Sequence, residues 1–248
     1  VVLAGLFRVR IQPAILMYHS FDSEGWRYGV EPAELEKQIC YLTKHRTFVP
    51  LLDIVAWGKG EKLIDQNVVA VTIDDGYEDT YSVFFPLAKK YNIPFTIFLT
   101  TDLQKQAKLG NLKRPTWEQL REMKESGLAT VEVHGHSHLN FTEALEKGKL
   151  EQEIETSRVL IREKLQYEPK YLAYPAGRQN PLVVKKVKEM GFTAACSTSP
   201  GPVESDSNPF LIKRIGVDRA TPLTLFKLRL SAGFPLYLKL TRLFKQHA

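Results

Sequence analysis

The chain predicts a parallel α/β fold, on three observations. Short apolar runs alternate with amphipathic stretches from Ala14 to Val217, which is the pattern of strands joined by covering helices. With 248 residues, 44% of them hydrophobic and 25% charged, the chain is long enough for one large domain with a substantial core. The polar strings that stand out, His19, Asp74–Asp75, His134–His138 and Tyr174–Gly177, each directly follow an apolar run. In parallel α/β folds the C-terminal strand ends share one face, which carries the active site, so four separate strings converge. The sheet is either an open doubly wound one or a barrel.

Taken in order, the apolar run Ala14–Tyr18 is the first strand, and an amphipathic helix follows near Pro32–Lys44. Thr47–Leu51 reads as a second strand and Val68–Ile73, apolar and β-branched, as a third. A helix near Asp79–Tyr91 leads to the strand Phe95–Leu99, and a helix over Thr116–Ser126 leads to the strand Ala129–Val133. One long helix is expected from about Thr142 to Leu165, then a strand at Tyr171–Tyr174 and a helix at Pro181–Met190. Strands at Thr193–Cys196 and Leu211–Val217 complete the series. Ser199–Pro209 (SPGPVESDSNP) reads as a surface loop, because too little chain follows it to build a second core.

Charge is unevenly placed. Residues 219–248 hold Arg219, Lys227, Arg229, Lys239, Arg242 and Lys245 and no acid, so the remaining 28 basic residues balance the 28 acids of the body. Leu236, Leu240, Leu243 and Phe244 recur at helical spacing beyond Pro235. Residues 221–248 are therefore expected to form a basic amphipathic helical segment, either touching an anionic membrane surface or simply covering the domain with its charges solvated. Residues 13–220 are the expected main domain. No run of twenty apolar residues spans a membrane; VVLAGLF with Arg8 and Arg10, in residues 1–12, reads as the remnant of a signal or anchor. Cys40 and Cys196 match no zinc or redox spacing. A nucleic-acid partner is disfavoured, since the basic residues are not interleaved with stacking aromatics on the body.

The chemistry rests on two strings, VTIDDGYEDT and VEVHGHSHL. His134 and His138, spaced i, i+4, suit two imidazoles on one metal, with Gly135 permitting a sharp fold between them. Asp75 completes a two-histidine, one-carboxylate set with open positions. Such a site polarises a carbonyl and lowers the pKa of bound water toward ~7. Asp74 is then placed to take the proton, the turn at Gly76 letting both carboxylates approach one centre. A DDG string alone is equally a turn or helix N-cap; three histidines within five residues favour a metal, and His136 is the alternative ligand. His19 ends the first strand and is a candidate acid, imidazole being the side chain that titrates near neutral pH. Arg214, in FLIKRIGV, orients Asp74 through a charge-assisted bond or forms a surface salt bridge.

These motifs resemble the polysaccharide deacetylase family, the NodB-homology carbohydrate esterases, over roughly residues 13–220. The family's T-F-D-D-G string is matched by Thr72, Ile73, Asp74, Asp75 and Gly76, with Ile in place of Phe. Its H-[ST]-x-x-H string is matched by His134–His138, except that Gly135 stands where Ser or Thr is usual, which removes a hydroxyl that buttresses the loop. Tyr18–His19 before the D-D-G string, Thr116–Trp117 through Gly127, and Tyr174–Pro175–Ala176–Gly177 are similar to the branch containing bacterial poly-N-acetylglucosamine deacetylases.

The resemblance implies a distorted (β/α) barrel of about seven parallel strands that removes acetyl from an N-acetylated glycan. It implies Asp74 as base, Asp75, His134 and His138 as metal ligands, and the Ala176 N–H as oxyanion donor; Ala stands where many relatives have Tyr. The family's late acid histidine has no match, since only His247 lies beyond His138, so His19 is the candidate acid. One divalent metal, zinc on ligand type, with cobalt, nickel or iron as alternatives, is the expected cofactor. Trp26, Tyr28, Trp117 and Tyr174 would suit stacking on sugar rings, though packing also explains them. An envelope or secreted location is expected. The competing readings are O-deacetylation, hydrolysis of another amide, or a non-catalytic carbohydrate-binding envelope protein.

Overall fold

The computed structural model describes residues 11–22, 25–103 and 112–239. Eight strands pair in parallel: β1 (Ala14–Tyr18), β2 (Thr47–Phe48), β3 (Val68–Asp75), β4 (Phe95–Leu99), β5 (Ala129–Val133), β6 (Tyr171–Ala173), β7 (Ala194–Pro200) and β8 (Ile212–Gly216). The order β1-β8-β7-β6-β5-β4-β3, with β1 also paired to β3, closes seven of them into a barrel, and β2 adds two residues to the start of β3. Of the two sheets the sequence allowed, the closed one forms.

Strand alternation builds two apolar layers. On β3, Val69, Val71 and Ile73 face outward and join Leu35, Ile39 and Leu42 of α1 (Pro32–His45) in the larger core. Val68 and Ala70 face inward with Ile15, Phe98, Ala173, Ala194, Cys196 and Ile212. Leu51, Ile54 and Val55 of α2 (Leu51–Gly58) pack into this inner layer and plug the barrel at the N-terminal end of its strands. Each such fully buried Leu, Ile, Val or Phe stabilises the fold by about 1.5–3 kcal/mol.

The other helices start where their sequences supply caps. A π-helical turn over Thr80–Phe84 runs into α3 (Phe85–Tyr91). Thr116 and Gln119 form a reciprocal capping box on α4 (Trp117–Glu125), and the Asn140 side chain caps α5 (Phe141–Glu146). α6 (Leu150–Leu165) follows, then α7 (Pro181–Glu189), capped by Asn180, and α8 (Leu223–Leu230).

Two sequence expectations are corrected. The strand expected over Thr47–Leu51 stops at Phe48, because Pro50 starts α2. The single helix expected over Thr142–Leu165 is two, divided at Gly148, whose φ of +64° leaves the helical region.

Phe226 and Leu230 of α8, and Phe234 beyond it, are buried in the larger core, so the start of the basic C-terminal segment packs on the barrel. Residues 234–239 are helical. Leu240, Arg242, Leu243, Phe244, Lys245 and His247, like Arg8, Arg10 and the proposed anchor remnant in residues 1–10, lie outside the described residues. No helix among the described residues is long and apolar enough to cross a membrane.

Candidate metal centre and active site

β3 delivers two carboxylates in opposite manners. Asp74 continues the inward face of Ala70 and Thr72, and is buried. Asp75 ends the strand in the left-handed region, φ +68°, which turns its side chain to a different direction from the one pleating would give. Gly76 follows at φ +69°, and an added Cβ would lie 2.7 Å from the Leu99 side chain, so only glycine fits this close turn against β4.

Asp74 meets Arg214 of β8 inside the barrel. Arg214 Nη1 donates to Oδ1 at 2.6 Å and Nη2 to Oδ2 at 2.7 Å, while Nε donates to the Ser197 carbonyl and Nη1 also to Thr72 Oγ1. Both residues are almost wholly inaccessible, so this is a buried bidentate pair and not a surface salt bridge. Burial raises the Asp74 pKa, but the charge and hydrogen bonds of Arg214 and the neighbouring imidazoles together outweigh it and hold the carboxyl below the usual range.

Asp75, His134 and His138 form one cluster, with a ligand atom from each lying within 4.8 Å of the others. Asp75 Oδ1 is 3.1 Å from His138 Nε2 and 3.7 Å from His134 Nε2, and it is a buried oxygen without a hydrogen bond. His134 comes off the end of β5, and its Nδ1 donates to the Ala173 carbonyl of β6 at 2.8 Å, which leaves Nε2 as the lone-pair nitrogen facing Asp75. Burial pushes the His134 pKa down to about 4, so its imidazole is neutral near neutral pH, the form that binds a metal. Burial opposes ionisation of Asp75 too, yet the His138 and His134 imidazoles hold it well below the carboxylate range. His138 is raised, its contact with Asp75 overcoming burial. An orphaned carboxylate oxygen, a neutral imidazole oriented by a backbone carbonyl and a second imidazole fit a divalent cation with nitrogen and oxygen ligands.

The remaining predicted residues divide. His136 is not in the cluster; its Nδ1 pairs with Thr101 Oγ1 at 3.1 Å. His19 stands at the end of β1, stacked on Tyr28 at 5.0 Å and edge-on to Trp26. Ala176 lies in a short 3-10 turn over Pro175–Gly177 at φ +53°; Gly177 N–H donates to Tyr174 and Arg178 N–H to Pro175, and neither bond uses the Ala176 N–H. Tyr174, expected to face substrate, is instead fully buried. Its hydroxyl donates to the Phe210 carbonyl at 3.1 Å and its ring packs edge-on against Phe141. It anchors the turn and cannot stack on a sugar. Trp117 is partly buried against the larger core.

Two neighbours of the cluster carry no sequence signal. Arg114 donates from Nη1 to the Asp75 carbonyl at 3.0 Å and lies over the Tyr77 ring, and Glu153 of α6 binds the histidine loop. Each sits in a stretch whose pattern reads as ordinary loop or solvated helix face.

Known proteins share this arrangement of chain. Residues 62–195 match the family described as polysaccharide deacetylase, a span that includes Asp74, Asp75, His134, His138 and Ala176 and excludes His19 and Arg214. A poly-beta-1,6-N-acetyl-D-glucosamine N-deacetylase of Staphylococcus aureus (strain MRSA252) is 29% identical over 212 residues, covering 81% of this chain and 71% of that protein. The solved structure of IcaB from Ammonifex degensii superposes with a TM-score of 0.79 at 23% identity, over 90% of this chain and 98% of that one. The deacetylase PplD of Streptococcus pyogenes, solved in complex with acetate, gives 0.75 at 21% identity, over 89% and 99%. The structures share the barrel; the family match covers more than half of the chain and includes the residues of the cluster. This chain belongs to the polysaccharide deacetylase family.

Proposed function

We propose that this protein is a metal-dependent de-N-acetylase of an N-acetylated bacterial glycan, with a β-1,6-linked N-acetylglucosamine polymer as the first substrate class to test. The observation that carries the proposal is the Asp75–His134–His138 cluster, with Asp75 and His134 buried and His138 on the open side, beside the buried Asp74–Arg214 pair. The name of the Staphylococcus aureus relative supplies the substrate class. An envelope or secreted location follows from that substrate.

Asp75 Oδ1, His134 Nε2 and His138 Nε2 would hold the cation, zinc by ligand type and cobalt, nickel or iron by mixed character. When bound it supplies Lewis acidity toward the acetyl carbonyl and toward water. Asp74 takes the proton of the attacking water. A carboxylate offers about four lone-pair sites, and the bidentate Arg214 contact occupies two, fixing the plane of the base while leaving acceptor capacity. The Ala176 N–H, in its left-handed turn, donates to the oxyanion that develops as the carbonyl is attacked. His19 gives a proton to the departing sugar amine, and Tyr28 and Trp26 hold its ring.

The test is release of acetate from chito-oligosaccharides and poly-N-acetylglucosamine by metal-reconstituted protein, beside Asp74→Asn. Metal-dependent release is expected, with kcat at least about a hundredfold lower in the variant and metal content equal. Absence of release from protein with one bound metal would move the reaction to an O-acetyl ester or another amide. Protein that takes up no metal would favour a non-catalytic carbohydrate-binding role.

A further inference from the structure

The HGHSH loop after β5 carries two of the three cluster residues, and a side chain outside the cluster grips it. Glu153, in the first turn of α6, accepts the Ser137 N–H through Oε2 at 2.9 Å and the Ser137 hydroxyl through Oε1 at 2.7 Å. Its backbone carbonyl accepts the His136 N–H at 3.0 Å. Three hydrogen bonds therefore join one residue to the two positions directly before His138. The first half of the loop is tied elsewhere, the carbonyls of Gly135 and His136 accepting from the N–H groups of Thr101 and Asp102.

This loop needs an external hold, because two of its residues sit in the left-handed region: Gly135 at φ +81° and His138 at φ +61°. The second is a conformation that residues other than glycine seldom keep unless their surroundings impose it. A hydroxyl side chain at position 135 would be strained by that φ, and its Cβ would lie 3.2 Å from the Phe141 ring. The hydroxyl missing from position 135 has its counterpart at Ser137, where a carboxylate meets it. Glu153 also lies near the positive end of its helix, where a carboxylate is favoured.

We infer that Glu153, acting through Ser137, is a positioning residue of the metal centre, fixing the left-handed turn that aims His138 at Asp75 and thereby setting metal affinity. The inference rests on Asp75, His134 and His138 being ligands, as proposed above. Glu153 touches none of them; it works as an outer-shell support.

The experiment measures Zn2+ affinity of the full chain by competition with a chromophoric chelator, and site geometry by the absorption spectrum of the Co2+ form. Glu153→Ala, Ser137→Ala, their double variant and Glu153→Gln are compared with Asn180→Ala, which removes the cap of α7 (Asn180 Oδ1 to Val183 N–H, 2.9 Å) and so weakens the fold elsewhere. Glu153→Ala is expected to weaken Zn2+ binding about 10–100-fold and to change the Co2+ spectrum. The double variant should be no weaker than Glu153→Ala, and Glu153→Gln, which keeps one acceptor oxygen and carries the test if the alanine variant fails to fold, should fall between. Asn180→Ala should lower the melting temperature and leave Zn2+ affinity intact. Unchanged affinity and spectrum in both Glu153 variants, or an equal loss in Asn180→Ala, overturns the inference while wild-type binding still supports the metal centre. A wild-type protein that binds no Zn2+ overturns both.

Discussion

Three of the six non-glycine residues held at positive φ among the described residues are site residues: Asp75, His138 and Ala176. Such conformations cost free energy and persist where neighbours enforce them, so their concentration at one end of the barrel marks where folding energy is spent on function. Tyr174 shows the same division at the level of a side chain. Its ring and hydroxyl are satisfied by Phe141 and the Phe210 carbonyl, so Tyr174→Phe should lower stability by about 1 kcal/mol. Denaturant unfolding would read that loss. The KM for glycan should stay unchanged; a raised KM would return this ring to the substrate. The carboxylates and histidines were legible in sequence because their identities and spacing carry the chemistry. The burial of Tyr174 was not, since it depends on Phe210, which no local pattern ties to Tyr174, and Glu153 resembles any other acid on a wet helix face.

At the scale of elements, the strands were legible because each is a β-branched or apolar run, and the helices because of their period. α2 is not legible in sequence: LLDIVAWG is short and apolar except for Asp53, with Leu52 on its exposed face, so its apolar residues do not by themselves mark which face packs as the barrel plug. The turn over Pro175–Gly177 is fixed by an equally tertiary constraint. Gly177 has φ +65°, and a Cβ there would come 1.9 Å from Thr198 Oγ1 of β7. Gly177→Ala must therefore move the turn and the Ala176 N–H with it. The expected outcome is a fall in kcat of about a hundredfold, the scale for losing or misplacing an oxyanion donor, with a smaller change in KM. Steady-state acetate release checks this; an intact kcat would remove Ala176 from the mechanism.

At the scale of the whole molecule, the basic C-terminal segment is less free than its sequence suggests. Arg219 pairs with Glu31 at 2.8 Å and Asp22 at 3.4 Å, Arg229 donates to the Gly216 carbonyl and Thr221, and Lys227 lies over the Tyr41 ring. These three cations hold α8 and its approach to the barrel. Contact with an anionic membrane, where it is tested, would draw on Lys239, Arg242 and Lys245, each worth about 1 kcal/mol near such a surface. Reversing these three to Glu should abolish co-sedimentation with phosphatidylserine vesicles while acetate release from a soluble oligosaccharide continues. Wild-type protein that does not sediment with the vesicles removes the membrane reading.

The closure of the barrel has a consequence for how the chain folds. β1 pairs with β3 on one side and with β8 on the other, Leu16 opposite Val71 and Ile215. As the chain folds, β1 can gain β3, its nearer neighbour in sequence, early but keeps an open edge until the distant β8 docks. Until then Ile15 and the α2 plug lack Ile212. Such late, long-range pairing makes folding slow and leaves an unpaired strand available to other chains. The interval before β8 docks is therefore when the β1 edge is most open to pairing with another chain.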